Sequence, residues 1–327
     1  MVTTIHYPTR ALQDIQRQSK ELAAELYLVG DRNSPADFSL PGSHYLDLTA
    51  QASSGFAFAA ACPTGHYARK NIGYLAAMRD GADIIIETDD DNIPLEAFWQ
   101  PRQRHQTAPL VTRRGWCNAY GYFTSANIWP RGFPLDRLRE KVSPAQSLKT
   151  LTNDCPIQQG LVDENPDVDA IYRLMLPLPI NFEQGRKVIL DQGVWCPFNS
   201  QNTTFWREAF PLLYLPCHCS FRMTDIWRSF VAQRLAWEMG WRLQFHSSTM
   251  LHKRNEHELM RDFADEVPGY LQNARIGRCL EDLPLRSGRN SISDNLVKAY
   301  EALVRLGVIA AEELPLVRIW LDDFAKL

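Results

Sequence analysis

Three consecutive carboxylates, Asp89, Asp90 and Asp91, directly follow the apolar run Ile84-Ile85-Ile86-Glu87-Thr88, with Asn92 behind them. Like charges at that spacing repel, and an external cation relieves the repulsion. Carboxylates with few other ligands suit Mg²⁺ or Mn²⁺, which keep waters and complete their shell from a substrate diphosphate. Upstream, in Tyr67-Ala68-Arg69-Lys70-Asn71-Ile72-Gly73-Tyr74, Arg69 and Lys70 open a helical stretch, where two cations and unpaired helix N–H groups make a point for anionic oxygens. Acidic triplet and basic pair together describe a metal–diphosphate clamp. Asp225, in Ser220-Phe221-Arg222-Met223-Thr224-Asp225-Ile226-Trp227, stands at a helix start, a place for a dipole partner or for a catalytic carboxylate. His252 lies just past a strand, as a structural residue or a ligand. Cys217-His218-Cys219 is too tightly spaced for tetrahedral zinc, and seven cysteines without a Cys-x-x-Cys pair indicate reduced thiols, not a disulfide framework.

These groups need elements to carry them. Residues 2–5, 26–29, 45–48 and 83–87 read as strands, and 9–26 and 67–79 as helices, the second with Ile72, Leu75 and Met78 on one face. Strand, helix, strand, strand, helix, strand is a doubly wound α/β pattern, in which chemistry sits beyond the carboxyl ends of the strands. Thr4, Asp31 and Asp89 to Asp91 all fall there. Residues 94–202 are rich in Pro, Trp and Asn and read as binding loops, with Trp116, Tyr120 and Trp129 as candidate rings for stacking on a sugar. A helix over 224–239, capped by Thr224, leads to a strand at 241–245. Two further helices over 293–306 and 312–324 read as an appendage, giving units of 1–275 and 276–327.

Composition limits the alternatives. A chain of 327 residues, 45% hydrophobic and 22% charged, is a soluble globular protein of one large domain or two ordinary ones. With 35 Lys plus Arg against 38 Asp plus Glu, the net charge of −3 offers no basic excess for a nucleic acid or an anionic membrane. The first residues lack the charged and apolar regions of a leader, and the longest apolar run, 56–62, falls short of a bilayer span, so no span and a cytoplasmic location are expected.

Taken in order, these motifs resemble the GT-A glycosyltransferases and, more narrowly, the STELLO family. The resemblance rests on Val29-Gly30-Asp31, on 67–75 and 87–92, on Trp129-Pro130-Arg131-Gly132-Phe133-Pro134-Leu135, on Pro166-Asp167-Val168-Asp169-Ala170-Ile171-Tyr172-Arg173-Leu174 and on Asn199-Ser200-Gln201-Asn202-Thr203, reaching about Asn273. The chain is more distantly similar to reversibly glycosylated polypeptides and UDP-arabinopyranose mutases, through the Asp triplet, Asp225-Ile226-Trp227 and His252-Lys253.

The resemblance implies a GT-A-like mixed sheet with helices on both faces and a C-terminal helical extension. It implies a nucleotide-sugar site at Thr4, Asp31, Arg69, Lys70, Asp89 and Asp90, with Mn²⁺ or Mg²⁺ held by Asp91 and His252. Acceptor or sugar contacts would come from Arg131, Asn202 and Arg222, and Asp225 would take the acceptor's proton. The implied reaction moves a sugar from a nucleotide diphosphate donor, a UDP-sugar, to a hydroxyl acceptor such as a glycan. A nucleotide-sugar mutase and a non-catalytic nucleotide-sugar-binding or scaffold protein are the alternatives. In the mutases an arginine after the Arg-Gly-x-Pro stretch becomes glycosylated; Arg137 and Arg139 follow it here at a different spacing.

Overall fold

The computed structural model describes residues 1–253 and 258–327, so that Arg254, in the basic stretch after His252, lies outside the described residues. The apolar runs near the start pair in parallel as β1 (Val2–Thr3), β2 (Tyr27–Val29) and β3 (His44–Leu46). The crossover α1 (Arg10–Glu21) is capped by Thr9, which accepts from the Leu12 amide, and buries Leu12 and Ile15. It ends five residues before the position expected from periodicity, because Ala23 turns into the left-handed region at φ 53°.

Two short helices, α2 (Leu48–Ala52) and α3 (Ala57–Ala61), precede a 3₁₀ turn, Tyr67–Arg69, that runs into α4 (Lys70–Arg79). Residues 70–78 of α4 are all buried, Lys70 and Asn71 included, which is why its apolar stripe is weak. The following strand, β4 (Ile84–Thr88), lies beside β1: the Thr88 amide donates to the Met1 carbonyl at 3.1 Å. The small sheet thereby adjoins the large one.

The large sheet's remaining strands are β5 (Asn92–Pro94), β6 (His105–Val111), β8 (Thr150–Asp154), β9 (Ile157–Asp163), β10 (Lys187–Leu190), β12 (Asn202–Trp206) and β13 (Leu243–His252); β7 (Gly115–Trp116) and β11 (Val194–Trp195) pair with each other. Half of the large sheet's strands, β6 and β8 to β10, come from the segment whose sequence reads as loops. The order is β4-β12-β9-β13-β10-β6-β8, with β5 on the end of β13. The sheet is mixed, since β13 runs parallel to β9 and antiparallel to β10. β13 runs on to His252, well past the strand legible in sequence, and that extension carries the histidine to β5 and the acidic triplet.

Against this sheet pack α5 (Ala170–Met175), α6 (Thr224–Glu238), α7 (Leu259–Glu281), α8 (Ile292–Arg305) and α9 (Glu313–Phe324). Thr224 is not a side-chain cap. The 3₁₀ turn Phe221–Met223 feeds directly into α6, whose residues 224–236 are all buried. The expected boundary at 275/276 falls inside α7, and Leu303, Val317 and Trp320 share one apolar core with Phe58, Tyr214 and Trp227. The molecule is thus a mixed α/β fold, consistent with the GT-A-like expectation. Among the described residues no helix is long and apolar enough to cross a membrane.

Candidate functional site

The strand ends converge on one cavity of about 440 Å³. The loops after β1, β2 and β4 supply Thr4, Asp31 and the acidic triplet, the end of β13 supplies His252, and the opposite wall is made by Arg131, Arg222 and Asp225. Ten of the twelve residues expected from sequence therefore line a single space. The other two, Lys70 and Asn202, do not.

The triplet divides its work. Asp90 accepts from Thr4 Oγ1 at 2.6 Å, tying the end of β1 to that of β4. Asp89 is pushed up to about 7 by burial, against the pull of Lys70, whose Nζ lies 3.6 Å away. Lys70 is fully buried and donates to Tyr67 Oη at 2.8 Å and the Thr88 carbonyl at 3.0 Å. It is a cation beneath the triplet, not an exposed finger. Asp91 Oδ2 lies 3.0 Å from His252 Nε2. His252 Nδ1 lies 3.0 Å from the Asn165 carbonyl and 3.1 Å from Gln201 Nε2; burial would lower the His252 pKa, but the Asp91 carboxylate, accepting from Nε2–H, raises it, so a cation at Nε2 would have to replace that proton.

These residues fit a divalent cation. A carboxylate and an imidazole 3.0 Å apart match neighbouring ligands of an octahedral ion with bonds of about 2.1 Å, and a carbonyl partner on the far ring nitrogen is the usual support of a ligating histidine. No group of three His, Cys, Asp or Glu is gathered for a metal among the described residues. Asp91 and His252 would be the protein's ligands to such an ion, and the remainder of its shell would come from water and substrate oxygens.

The opposite wall is an ion network. Arg131 is 6% exposed and grips Asp167 through Nε and Nη2 at 2.7 and 2.8 Å, and Asp225 through Nη1 and Nη2 at 3.1 and 2.9 Å; Nη1 also donates to the Arg222 carbonyl. Burial would raise the Asp225 carboxyl, but the Arg131 guanidinium overrides it and holds the group at about 2. Asp225 also accepts from the Ser200 amide at 3.2 Å. It is a carboxylate of fixed charge and orientation. Arg222 is turned toward α7, where Glu266 accepts from it at 2.7 and 3.0 Å.

Several expected binders have other work. Arg69 donates to Gln51 Oε1 and the Cys62 carbonyl, bracing the turn before α4. Asn202 donates to the Leu161 carbonyl and Thr249 Oγ1 within the sheet. Asp31 uses both carboxylate oxygens on backbone, accepting from the Gly65 and His66 amides at 2.8 and 2.9 Å. It fastens the 65–66 loop to the cavity wall. Trp129 and Tyr120 are 5% and 3% exposed, and Trp116 stacks against Trp195, so the expected stacking rings belong to the core. The ring that does stand in the cavity is Phe221, 55% exposed, with His66 and Tyr67 beside it. Sequence reasoning passed over both Phe221 and His66, although Phe221 adjoins Arg222 in the same motif.

A family model described as STELLO glycosyltransferases matches residues 222–327, which takes the likeness through α8 and α9, beyond the stretch recognised by motif. Two Arabidopsis thaliana proteins are similar along nearly the whole chain: "Probable glycosyltransferase STELLO1", 28% identical over 346 residues, and "Probable glycosyltransferase STELLO2", 27% identical over 345. Each alignment covers 99% of this chain and 44% of the relative, so the chain spans less than half the length of the proteins it matches.

Proposed function

From this similarity to the STELLO glycosyltransferases, we propose that the chain is a transferase that moves a sugar from a nucleoside diphosphate donor, a UDP-sugar, to a hydroxyl of a glycan or similar acceptor. The observation that carries the reading is the meeting of Asp89 to Asp91, His252 and the Arg131–Asp225 pair around one cavity. Thr4, at the end of β1, borders the nucleoside end, and the acidic triplet faces the diphosphate. A Mg²⁺ or Mn²⁺ ion held by Asp91 and His252 would offset charge on the leaving diphosphate. Asp225 stays ionised across the physiological range and accepts the acceptor hydroxyl's proton, with Arg131 and the Ser200 amide fixing its direction.

The mutase reading lacks comparable support. Arg137 sits on a turn paired with Glu140, and neither it nor Arg139 lines the cavity. Calorimetric titration with UDP-glucose, UDP-galactose and UDP-N-acetylglucosamine tests the proposal. Binding that requires Mg²⁺ or Mn²⁺ and is lost in Asp91→Ala and His252→Ala supports it, whereas equal binding in excess chelator removes the cation from it.

A further inference from the structure

We propose that His66 and Phe221 form the rim that recognises the donor's sugar ring. The inference rests on the nucleotide-sugar reading above. It begins with a tautomer: His66 Nδ1 accepts from the Ala68 amide at 3.0 Å, capping the turn before α4, so the ring proton sits on Nε2. His66 lines the cavity, and among the described residues Nε2–H has no protein partner. Burial and the nearby His218 favour the neutral ring, against Asp31, so the group presented is a hydrogen-bond donor of fixed orientation. Asp31 accepts from the Gly65 and His66 amides, which holds the loop where this donor is useful.

Phe221 supplies the other half. Its ring is more than half exposed, yet it lines the cavity and stands edge-on to His66 at 6.4 Å and Tyr67 at 6.2 Å. A ligand that covers this ring gains the free energy of removing its apolar surface from water. A pyranose presents an apolar C–H face with hydroxyls at its edge, which suits a ring beside a directed N–H donor. The donor's sugar is favoured over an acceptor's by position. Tyr67 Oη is 3.3 Å from Asp89 and 2.6 Å from Ser200 Oγ, so the rim borders the triplet, where a sugar joined to a diphosphate would emerge.

The test compares UDP with UDP-glucose, UDP-galactose and UDP-N-acetylglucosamine by calorimetry, in the presence of Mg²⁺, for the full chain and three variants. His66→Asn retains an acceptor for the Ala68 amide and removes the donor that reaches the cavity. Phe221→Ala removes the ring, and Phe221→Trp retains one. We expect His66→Asn and Phe221→Ala each to weaken the best-bound sugar nucleotide about fivefold while UDP alone binds as before, with Phe221→Trp near wild type. Equal weakening of UDP and sugar nucleotide, or no weakening in either variant, would overturn the rim while leaving the donor site in place. Wild-type protein that binds neither UDP nor any of the sugar nucleotides would overturn the parent reading and the rim together.

Discussion

Asp225 owes its charge to Arg131, and this dependence makes its role measurable. Replacing Asp225 with Asn keeps the shape and removes the proton acceptor, so donor turnover is expected to fall on the order of 10²–10⁴-fold while UDP-sugar affinity stays within a few-fold. Arg131→Lys keeps a cation but loses the paired grip on Asp225. Arg131 lowers the Asp225 pKa, so weakening the grip raises it; with the ionised carboxylate as the proposed base, the acid limb of the kcat/KM profile is expected to move to higher pH. An unmoved limb would assign it to another group. At this scale the acidic triplet, Asp225 and His252 were legible because each stands where an element begins or ends. The Arg131–Asp225 pair was not, since its partners are 94 positions apart and only the fold brings them together. Asn202 misled for a related reason: its amide is used up within the sheet, which a linear motif does not reveal, and Arg69, though it lines the cavity, spends Nε and Nη1 on a turn.

Elements hold the site through buried polar ties that sequence periodicity does not register. Glu87, at the end of β4 just before the triplet, accepts from Arg228 of α6 at 2.6 and 2.9 Å, and both residues are buried. Removing one partner strands the other, so Arg228→Met is expected to destabilise by about 3–5 kcal/mol, read from denaturant unfolding. Glu313, at the start of α9, accepts from the Cys217 and His218 amides and from Tyr214, fixing the loop that leads to Phe221 and Asp225. Glu313→Ala orphans those donors and is expected to cost about 3 kcal/mol, a Tm fall of about 4 °C for a chain of this length. A change below 1 kcal/mol would deny the tie its role. The strands of residues 94–202 were hidden by prolines and short lengths, and α7 by Pro268 within it, whereas α6, α8 and α9 stood out through their apolar spacing.

The whole molecule has one main core that extends into its last helices. Trp320 is fully buried against Phe58 and Tyr214, and Asp323 accepts from the Phe58 amide at 2.8 Å. The appendage read from sequence is therefore part of the body, and a chain ending at residue 281 is expected to be insoluble or molten by near-UV circular dichroism. Stability should also depend on acid. Burial pushes His246 down to about 4, so the unfolded chain binds its proton first as pH falls below about 6.5, and stability is lost from there toward 4. His246→Gln should flatten that part of the pH–stability curve.

Sugar transfer from a nucleoside diphosphate in this cavity is read from a proton NMR time course of the protein with Mg²⁺ and a panel of UDP-sugars, following the anomeric signals and free UDP. Wild-type protein is expected to release UDP from one member of the panel, by slow transfer to water when no acceptor is present, and Asp225→Asn and Asp91→Ala to release it more slowly by on the order of 10²-fold or more. UDP release at wild-type rates in both variants, or a new ring form of the sugar nucleotide without free UDP, would contradict it.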